Sequence, residues 1–430
     1  MATSFSKIPT TENFQRFITK GYLFAAEMRR KAGVAPASHQ PFTFPLLGKP
    51  ATIIRGEEAV DFFYDESKIA RGGAMPGPIS DALFGKGAVH TLDGKAHKVR
   101  KTQLAAMAYD DARVENFKIL VEEEVQRVIE SWVQKPGNVY DDVAIAYGRA
   151  AFRWAGIPMN DKELQKRAEQ YSHLLDNFGS PLHNALAQVD RIKLDRWAEK
   201  LIIDVRSGAL TVDQDSVLAH MARLVDENGE LVPAKTAGIE LQNLTRPTVA
   251  VSRFAAFAAV ALVQNPDEAF KVREAVVANG GRLINVPEAV AFAQEVRRAY
   301  PFVPMLPGFS IEDAEISGCP IHKGQRVLMD IVGTHNSPSV WEKPAEFKPE
   351  RWMGVEDYEA VKGFLPQGGA DVLTGHRCPG EKIAIAALSA TVAALSDEKV
   401  EISDDPADTT FSWTSVLTRP STGVRVSVKA

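Results

Sequence analysis

The sequence predicts a mainly α protein with small β-sheets, built as a single large domain over residues 1–430. Three observations carry that expectation. Across residues 105–263 apolar side chains recur at three- to four-residue spacing, as in VENFKILVEEEVQRVIESWVQ. Strand-like texture is confined to residues 49–63 and to the stretch after Pro301. No Gly/Ser-rich or Pro-rich linker, internal repeat or low-complexity tract divides the chain.

The elements follow in order. The first 20 or so residues are expected to be loosely attached. Residues 49–63 mix β-branched residues with the turn KPATIIRG, which predicts short strands before a helix. Pro136-Gly137 interrupts the long helical region, and Gly229 in DENGEL marks a turn. Residues 288–300 read as a helix with Pro287 in its first turn. After Pro301 come strand-like pieces such as QRVLMDIV, separated by turn-rich stretches. A last helix follows Cys378, and RVSVK reads as a closing strand.

Composition limits the function classes. Of 430 residues, 45% are apolar and 24% charged, the range of an ordinary globular protein, which excludes a disordered or collagen-like chain. A net charge of −5 excludes a nucleic-acid binder relying on overall basic charge. Two cysteines, Cys319 and Cys378, cannot form a disulfide framework, a four-cysteine zinc site or a four-cysteine iron–sulfur site. A reduced, cytoplasmic setting is expected. Residues 1–30 scatter their charges rather than placing them before an apolar core, so no export signal is expected. The longest uncharged apolar run, FAAFAAVALV, is about half of a membrane span, so no transmembrane segment is expected.

The stretch FLPQGGADVLTGHRCPGEKIAIAAL carries the chemistry. Gly368, Gly369 and Gly375 permit tight turns and close backbone approach. Cys378 stands before an apolar helix, where unpaired N–H groups and the helix dipole favour a thiolate. A thiolate with flat glycine backbone before it suits axial ligation of a large planar cofactor. An inert structural cysteine is the plain alternative. A phosphate loop does not fit, because His376-Arg377 follows Gly375 in place of Lys-Ser/Thr. Hydrolytic use of Cys378 requires a histidine from elsewhere, since His376 shares its turn. Cys319, in ISGCPIHKG, reads as strand and turn with no helix after it.

Glu295 and Arg298 share one face of a predicted helix, and FKPERW later brings Arg351. The ordered set E-x-x-R, F-x-P-E-R-W and F-x-P-Q-G-G…G-H-R-C-P-G-E resembles the haem-thiolate cytochromes P450. The resemblance implies the cytochrome P450 fold, haem b (iron protoporphyrin IX) as cofactor, Cys378 as axial iron ligand, and Glu295, Arg298 and Arg351 as a buried structural triad. It further implies that His97, Arg100 and Lys101 in DGKAHKVRK, with Arg71 and His376, meet the haem propionates, and that Gly369 lies in the haem loop. A solvated basic face is the alternative for the first three.

Most members of this family place an acid beside a threonine in the long helix over the haem. Here that helix reads IELQNLTRPTVAVSRFAAFAAVALVQN, with Thr245-Arg246-Pro247 and no such pair. Pro247 should kink the helix, unless the helix begins there. Arg246-Pro247 resembles the fatty-acid peroxygenase branch, through motifs that run from about Gly21 to the C-terminus. The resemblance implies hydrogen-peroxide-dependent hydroxylation of long-chain fatty acids at Cα or Cβ, with oxidative decarboxylation to terminal alkenes as a further outcome. Arg246 would hold the carboxylate, Pro247 would accompany it, and His90 would stand near Cβ. Phe84 would line the acyl pocket, and Phe178, Phe302 and Met305 each either line it or belong to the core. Ala370 after Gly369 departs from the pattern of the haem loop. Fatty acid and hydrogen peroxide are the partners expected, with no obligatory redox partner. A reductase-fed monooxygenase and a haem- or lipid-binding sensor without turnover remain the alternative functions.

Overall fold

The computed structural model describes residues 12–75, 77–175, 181–415 and 417–429. The helical region expected from periodicity forms a stack. Helices Val139–Trp154, Asp161–Leu175 and Pro181–Ser207 pack around a central helical run, Ala234–Ala250 followed by Ser252–Gln264, and Asp111–Gln134 packs on Val139–Trp154. Helix Glu381–Leu395 packs against Ser252–Gln264, Asp111–Gln134 and Pro287–Ala299. Tyr147, Phe152, Leu241, Phe254, Val296 and Leu388 belong to the apolar core these helices share. Helix Val139–Trp154 begins at Asn138, whose side chain accepts the N–H of Asp141. Gly148 lets it approach closely: a Cβ there would stand 2.6 Å from the Cβ of Ala168 and 3.3 Å from a methyl of Val249.

By length and composition the run Ala234–Gln264 could cross a membrane, but 83% of its most apolar window is buried inside the protein. It is a core helix. Pro247 lies inside Ala234–Ala250, so the helix does not begin there. The run breaks at Val251, whose N–H turns back to the carbonyl of Thr248 at 3.1 Å, and resumes at Ser252. Without an N–H, Pro247 cannot bond the carbonyl of Asn243, and the ladder reforms only beyond the break.

The strands make a five-stranded sheet in the order Phe42–Leu46, Lys49–Ile54, Arg326–Asp330, Met305–Ser310, Ile69–Ala70. Lys49–Ile54 runs parallel to Arg326–Asp330, with Ile53 opposite Leu328, and the other pairs are antiparallel. Phe42–Leu46 was not apparent in the sequence because its apolar alternation spans only five residues and includes Pro45. Met305 joins Phe24, Phe42, Phe44 and Leu328 in the core under this sheet, which is its core alternative. Cys319 lies in the hairpin of Ala314–Ile316 with Cys319–Ile321. Arg425–Val428, the closing strand, pairs with Val400–Ile402 and Gly137–Asn138. Residues 12–20, expected to be loose, are anchored: the Glu12 carboxylate accepts the N–H groups of Leu47 and Gly48 at 3.0 and 2.9 Å.

Candidate active site

Cys378 stands between the loop from Phe364 and helix Glu381–Leu395. Its N–H donates to the carbonyl of Gln367 at 3.0 Å, which folds the loop back on itself. Gly368, at φ 93°, has no room for a side chain, since a Cβ would fall 2.4 Å from the His376 carbonyl oxygen. A Cβ on Gly369 would press on the Tyr64 ring at 2.7 Å. Ala370 takes φ 67°, the left-handed region that a methyl group disfavours. Burial pushes the Cys378 thiol up, while Lys101 and the N–H of Gly380 pull it down. Burial wins, against the expectation that the helix terminus alone would hold a thiolate. A bound cation completes the deprotonation.

Glu295, Arg298 and Arg351 meet behind this loop. Arg298 donates twice to the Glu295 carboxylate, at 2.9 and 2.8 Å, and Arg351 Nε donates to it at 3.2 Å. Trp352 Nε1 and the Lys348 N–H also donate to Glu295, each at 2.9 Å, so a fully buried carboxylate is well satisfied. Sequence reasoning missed a second buried cluster beside it, in which Arg297 and Arg377 both donate to Glu381 at the start of the cysteine-bearing helix. Adjacent arginines in QEVRRAY, only one of them absorbed by E-x-x-R, were the available signal.

A group of bases gathers on the side of helix Gly94–Ala108. The rings of His97 and His376 stack at 4.4 Å, with Glu66 3.9–4.0 Å from one nitrogen of each. Arg71 lies 4.5 Å over the Phe63 ring. Lys101 Nζ donates to the carbonyl of Arg377, next to Cys378. Arg100 gives Nη1 to Glu240 at 3.0 Å. Arg71 Nη1, His97 Nδ1 and Arg100 Nε are buried and have no hydrogen-bond partner among the described residues. Among the described residues, Glu66, His97 and His376 are close enough together to hold a metal ion. Yet burial, Arg71, His97 and Lys101 push His376 down to about 2, a positive field that suits anions rather than a cation. One sulfur ligand and several unpartnered donors for carboxylates fit an iron porphyrin with its two propionates.

The long helix supplies the other wall. Arg246 is 4% exposed, and burial, with Arg191 second, pushes its guanidinium down to about 9. Its Nη2 donates to Asn243 Oδ1 at 2.9 Å, and its Nη1 has no partner among the described residues. The guanidinium lies 5.9 Å from the Phe84 ring, and His90 stacks on that same ring at 4.0 Å and 14°. His90 is exposed to solvent, while the protein packed around it, then Arg246, push its imidazole down to about 3, which favours the neutral form at pH 7.

Thr245 is committed elsewhere: its hydroxyl donates to the Leu241 carbonyl at 3.0 Å and lies 3.0 Å from Tyr171 Oη. Phe302 is half-buried, 5.9 Å from Phe254 of the long helix, and Phe178 lies outside the described residues. Glu240, Asn243, Arg191 and Asp195 escaped the sequence reading. Polar residues interrupting an apolar helix, as in IELQNLTRP, were the signal for the first two. Around Arg246 the cations Arg100 and Arg191 face the carboxylates Glu240 and Asp195, the latter 3.0 Å from Arg191. Arg100 and Arg191 each have a carboxylate partner, whereas Arg246 has none among the described residues.

Comparison with known proteins agrees with this geometry. The family profile "Cytochrome P450" matches residues 252–425. Among solved structures, a single-site variant of cytochrome P450SP alpha (CYP152B1) is 30% identical, with a TM-score of 0.86 over 97% of this chain and 98% of that one. Cytochrome P450EX alpha (CYP152N1) with myristic acid is 30% identical, with a TM-score of 0.85 over 98% of both chains. A variant of cytochrome P450 OleT in complex with arachidonic acid is 26% identical, with a TM-score of 0.87 over 97% of each. Among curated sequences, a sterol 14alpha-demethylase of Mycolicibacterium vanbaalenii is 23% identical over 386 residues, 83% of this chain and 82% of its own length. With a cysteine loop, a Glu–Arg–Arg cluster and a fold shared over nearly its whole length with such relatives, the chain belongs to the cytochrome P450 family.

Proposed function

We propose that the protein is a fatty-acid peroxygenase with haem b as its cofactor. It uses hydrogen peroxide to hydroxylate long-chain fatty acids at Cα or Cβ and converts a fraction of them to terminal alkenes, without an obligatory redox partner. One observation carries the reading: Arg246, buried in the wall of the site beside Phe84 and His90, keeps Nη1 free. A buried guanidinium requires an anion, and a carboxylate is the anion a fatty acid brings. The myristic and arachidonic acids in two solved relatives support the same substrate class.

When bound, haem supplies the redox chemistry, the transfer of an oxygen atom from peroxide to a C–H bond. The protein does the rest. Cys378 holds the iron, and Arg71, His97, Arg100, Lys101 and His376 hold the propionates. Arg246 fixes the carboxylate and thereby places Cα and Cβ at the reacting position. Thr245 spends its hydroxyl on Leu241 and Tyr171, so the helix offers no acid–alcohol pair for moving protons. The carboxylate held by Arg246 supplies the missing acid–base group. Phe84 and the neutral His90 form the apolar wall next to Cβ.

Purified holoenzyme incubated with myristate and hydrogen peroxide, with no reductase or reduced nicotinamide, tests the reading. Hydroxymyristates and an alkene one carbon shorter are the expected products, identified by mass spectrometry. Product only when an electron donor is added would make the protein a reductase-fed monooxygenase. No product under either condition would make it a sensor.

A further inference from the structure

Glu240 is fully buried in the middle of helix Ala234–Ala250, one turn before Asn243 and two before Arg246. Burying a carboxylate is costly unless charge-assisted hydrogen bonds offset the lost hydration, and this one has them. Three donors converge on it. Oε1 accepts the backbone N–H of Val89 at 2.8 Å and Arg100 Nη1 at 3.0 Å, and Oε2 accepts Asn243 Nδ2 at 3.1 Å. Val89 immediately precedes His90, and Arg100 belongs to the helix of the propionate group. Asn243 in turn accepts Arg246 Nη2 through Oδ1 at 2.9 Å.

We infer that Glu240 is a positioning residue that sets where Arg246 and His90 stand relative to each other, and so which carbon of a bound fatty acid is oxidised. The inference rests on the carboxylate-anchor reading of Arg246. The chemistry of the donors requires a carboxylate here. A guanidinium only donates, and so do a backbone N–H and the amide NH2 turned toward Glu240. Only a group that accepts on both oxygens satisfies all three at once. Glu240 also dictates the direction of Asn243: with its NH2 fixed on Oε2, its oxygen must point at Arg246. The neutral amide passes on this orientation without bringing a negative charge against Arg246. One terminal nitrogen of the guanidinium is thereby clamped and Nη1 is left for the substrate. The same carboxylate clamps the short turn Val89–Thr91 that carries His90, so anchor and pocket wall share one support.

Glu240→Gln is the direct test, because the amide keeps the size and presents a donor where an acceptor is needed. Holoenzyme is compared with wild type in four ways: the reduced carbonyl spectrum, the thermal midpoint, the myristate dissociation constant from the Soret shift, and the Cα to Cβ product ratio. With the spectrum intact, we expect affinity to fall about tenfold, equivalent to ~1.4 kcal/mol, and the product ratio to shift. A merely structural residue would lower the thermal midpoint and leave the ratio alone, and that result overturns the proposal. Should Glu240→Gln fail to load haem, Asn243→Ala cuts the link to Arg246 while sparing Val89 and Arg100. Unchanged affinity and ratio in that variant overturn the proposal as well. If wild type binds myristate but does not turn it over with peroxide, the peroxygenase reading falls and the affinity comparison still decides the role of Glu240. If wild type does not bind myristate, both fall.

Discussion

His335 Nε2 accepts the backbone N–H of Leu365 at 2.9 Å, while its Nδ1 lies 3.0 Å from the carbonyl of Arg298. Since Nε2 accepts, Nδ1 carries the proton and donates to Arg298. The start of the loop that leads to Cys378 thus hangs from the helix of Glu295 and Arg298 through one neutral ring. Burial pushes this histidine down to about 3. Between that value and the ordinary ~6.5, the unfolded chain binds a proton that the native one refuses. Stability from this group is therefore complete above about pH 6.5 and is lost as pH falls, by ~2 kcal/mol at pH 5. His335→Gln, which cannot titrate, should show a shallower decline of stability from pH 6.5 to 5 in denaturant titrations. Equal slopes would show that this imidazole is not the acid-sensitive link.

Cys378 and Cys319 should separate cleanly. Cys378→Ser should abolish the long-wavelength Soret band of the reduced carbonyl complex, and Cys319→Ser, in a peripheral hairpin, should retain it. The reverse pattern would move the iron ligand to the wrong end of the sheet.

For Arg246→Ala, haem content should stay at the wild-type level while the Soret shift on adding myristate weakens. Loss of one partner from a buried ion pair costs roughly 3–5 kcal/mol, or about 10²–10³-fold in affinity. Normal turnover of myristate by this variant would exclude the carboxylate anchor.

His90 faces the question of product partition. Wild type should yield mainly hydroxy acids with measurable terminal alkene, and His90→Gln should lower the alkene fraction at unchanged haem content and substrate affinity. Because His90 is pushed down to about 3, the wild-type ratio should stay flat from pH 6 to 8. A ratio that titrates in that window would show that a bound carboxylate raises the imidazole far more than Arg246 and the surrounding protein depress it.

Ala370 departs from the loop pattern, and its φ of 67° gives that departure a cost. Left-handed backbone costs a non-glycine residue ~1–2 kcal/mol, and the extra freedom of glycine in the unfolded chain returns ~0.5–1 kcal/mol of that. Ala370→Gly should therefore raise stability by about 0.5–1 kcal/mol in denaturant unfolding, with the spectrum unaltered. A destabilised variant would mean that the exposed methyl group makes contacts worth more than the strain.

Legibility in the sequence divided along physical lines. The long helices and the loop at Cys378 were apparent because periodicity and glycine spacing are local properties, visible in a window of a dozen residues. Glu295 and Arg298 were visible as a pair three apart, whereas Arg297–Glu381 and Glu240–Arg100 join residues 84 and 140 positions apart, so a local signal could mark one member but not name its partner. Protonation was the least legible feature. Cys378 was read from its place before a helix, and burial, which depends on the whole fold, reversed the expected downward shift. The break at Val251 shows the same limit on a smaller scale: Pro247 announced a disturbance, and packing set where it fell.

The unpartnered Nη1 of Arg246 has a consequence for selectivity. Such a pocket sorts molecules by ionisation before it sorts them by length. A fatty alcohol, amide or methyl ester fills the same hydrocarbon volume as the acid, yet it brings no negative charge to the buried guanidinium of Arg246. The apolar tail, which can slide by a methylene at little cost, sets only how tightly a molecule is held. On the proposed carboxylate-anchor role of Arg246, the head group decides admission, so esterification of a fatty acid should abolish its binding and hydrolysis of the ester should restore it.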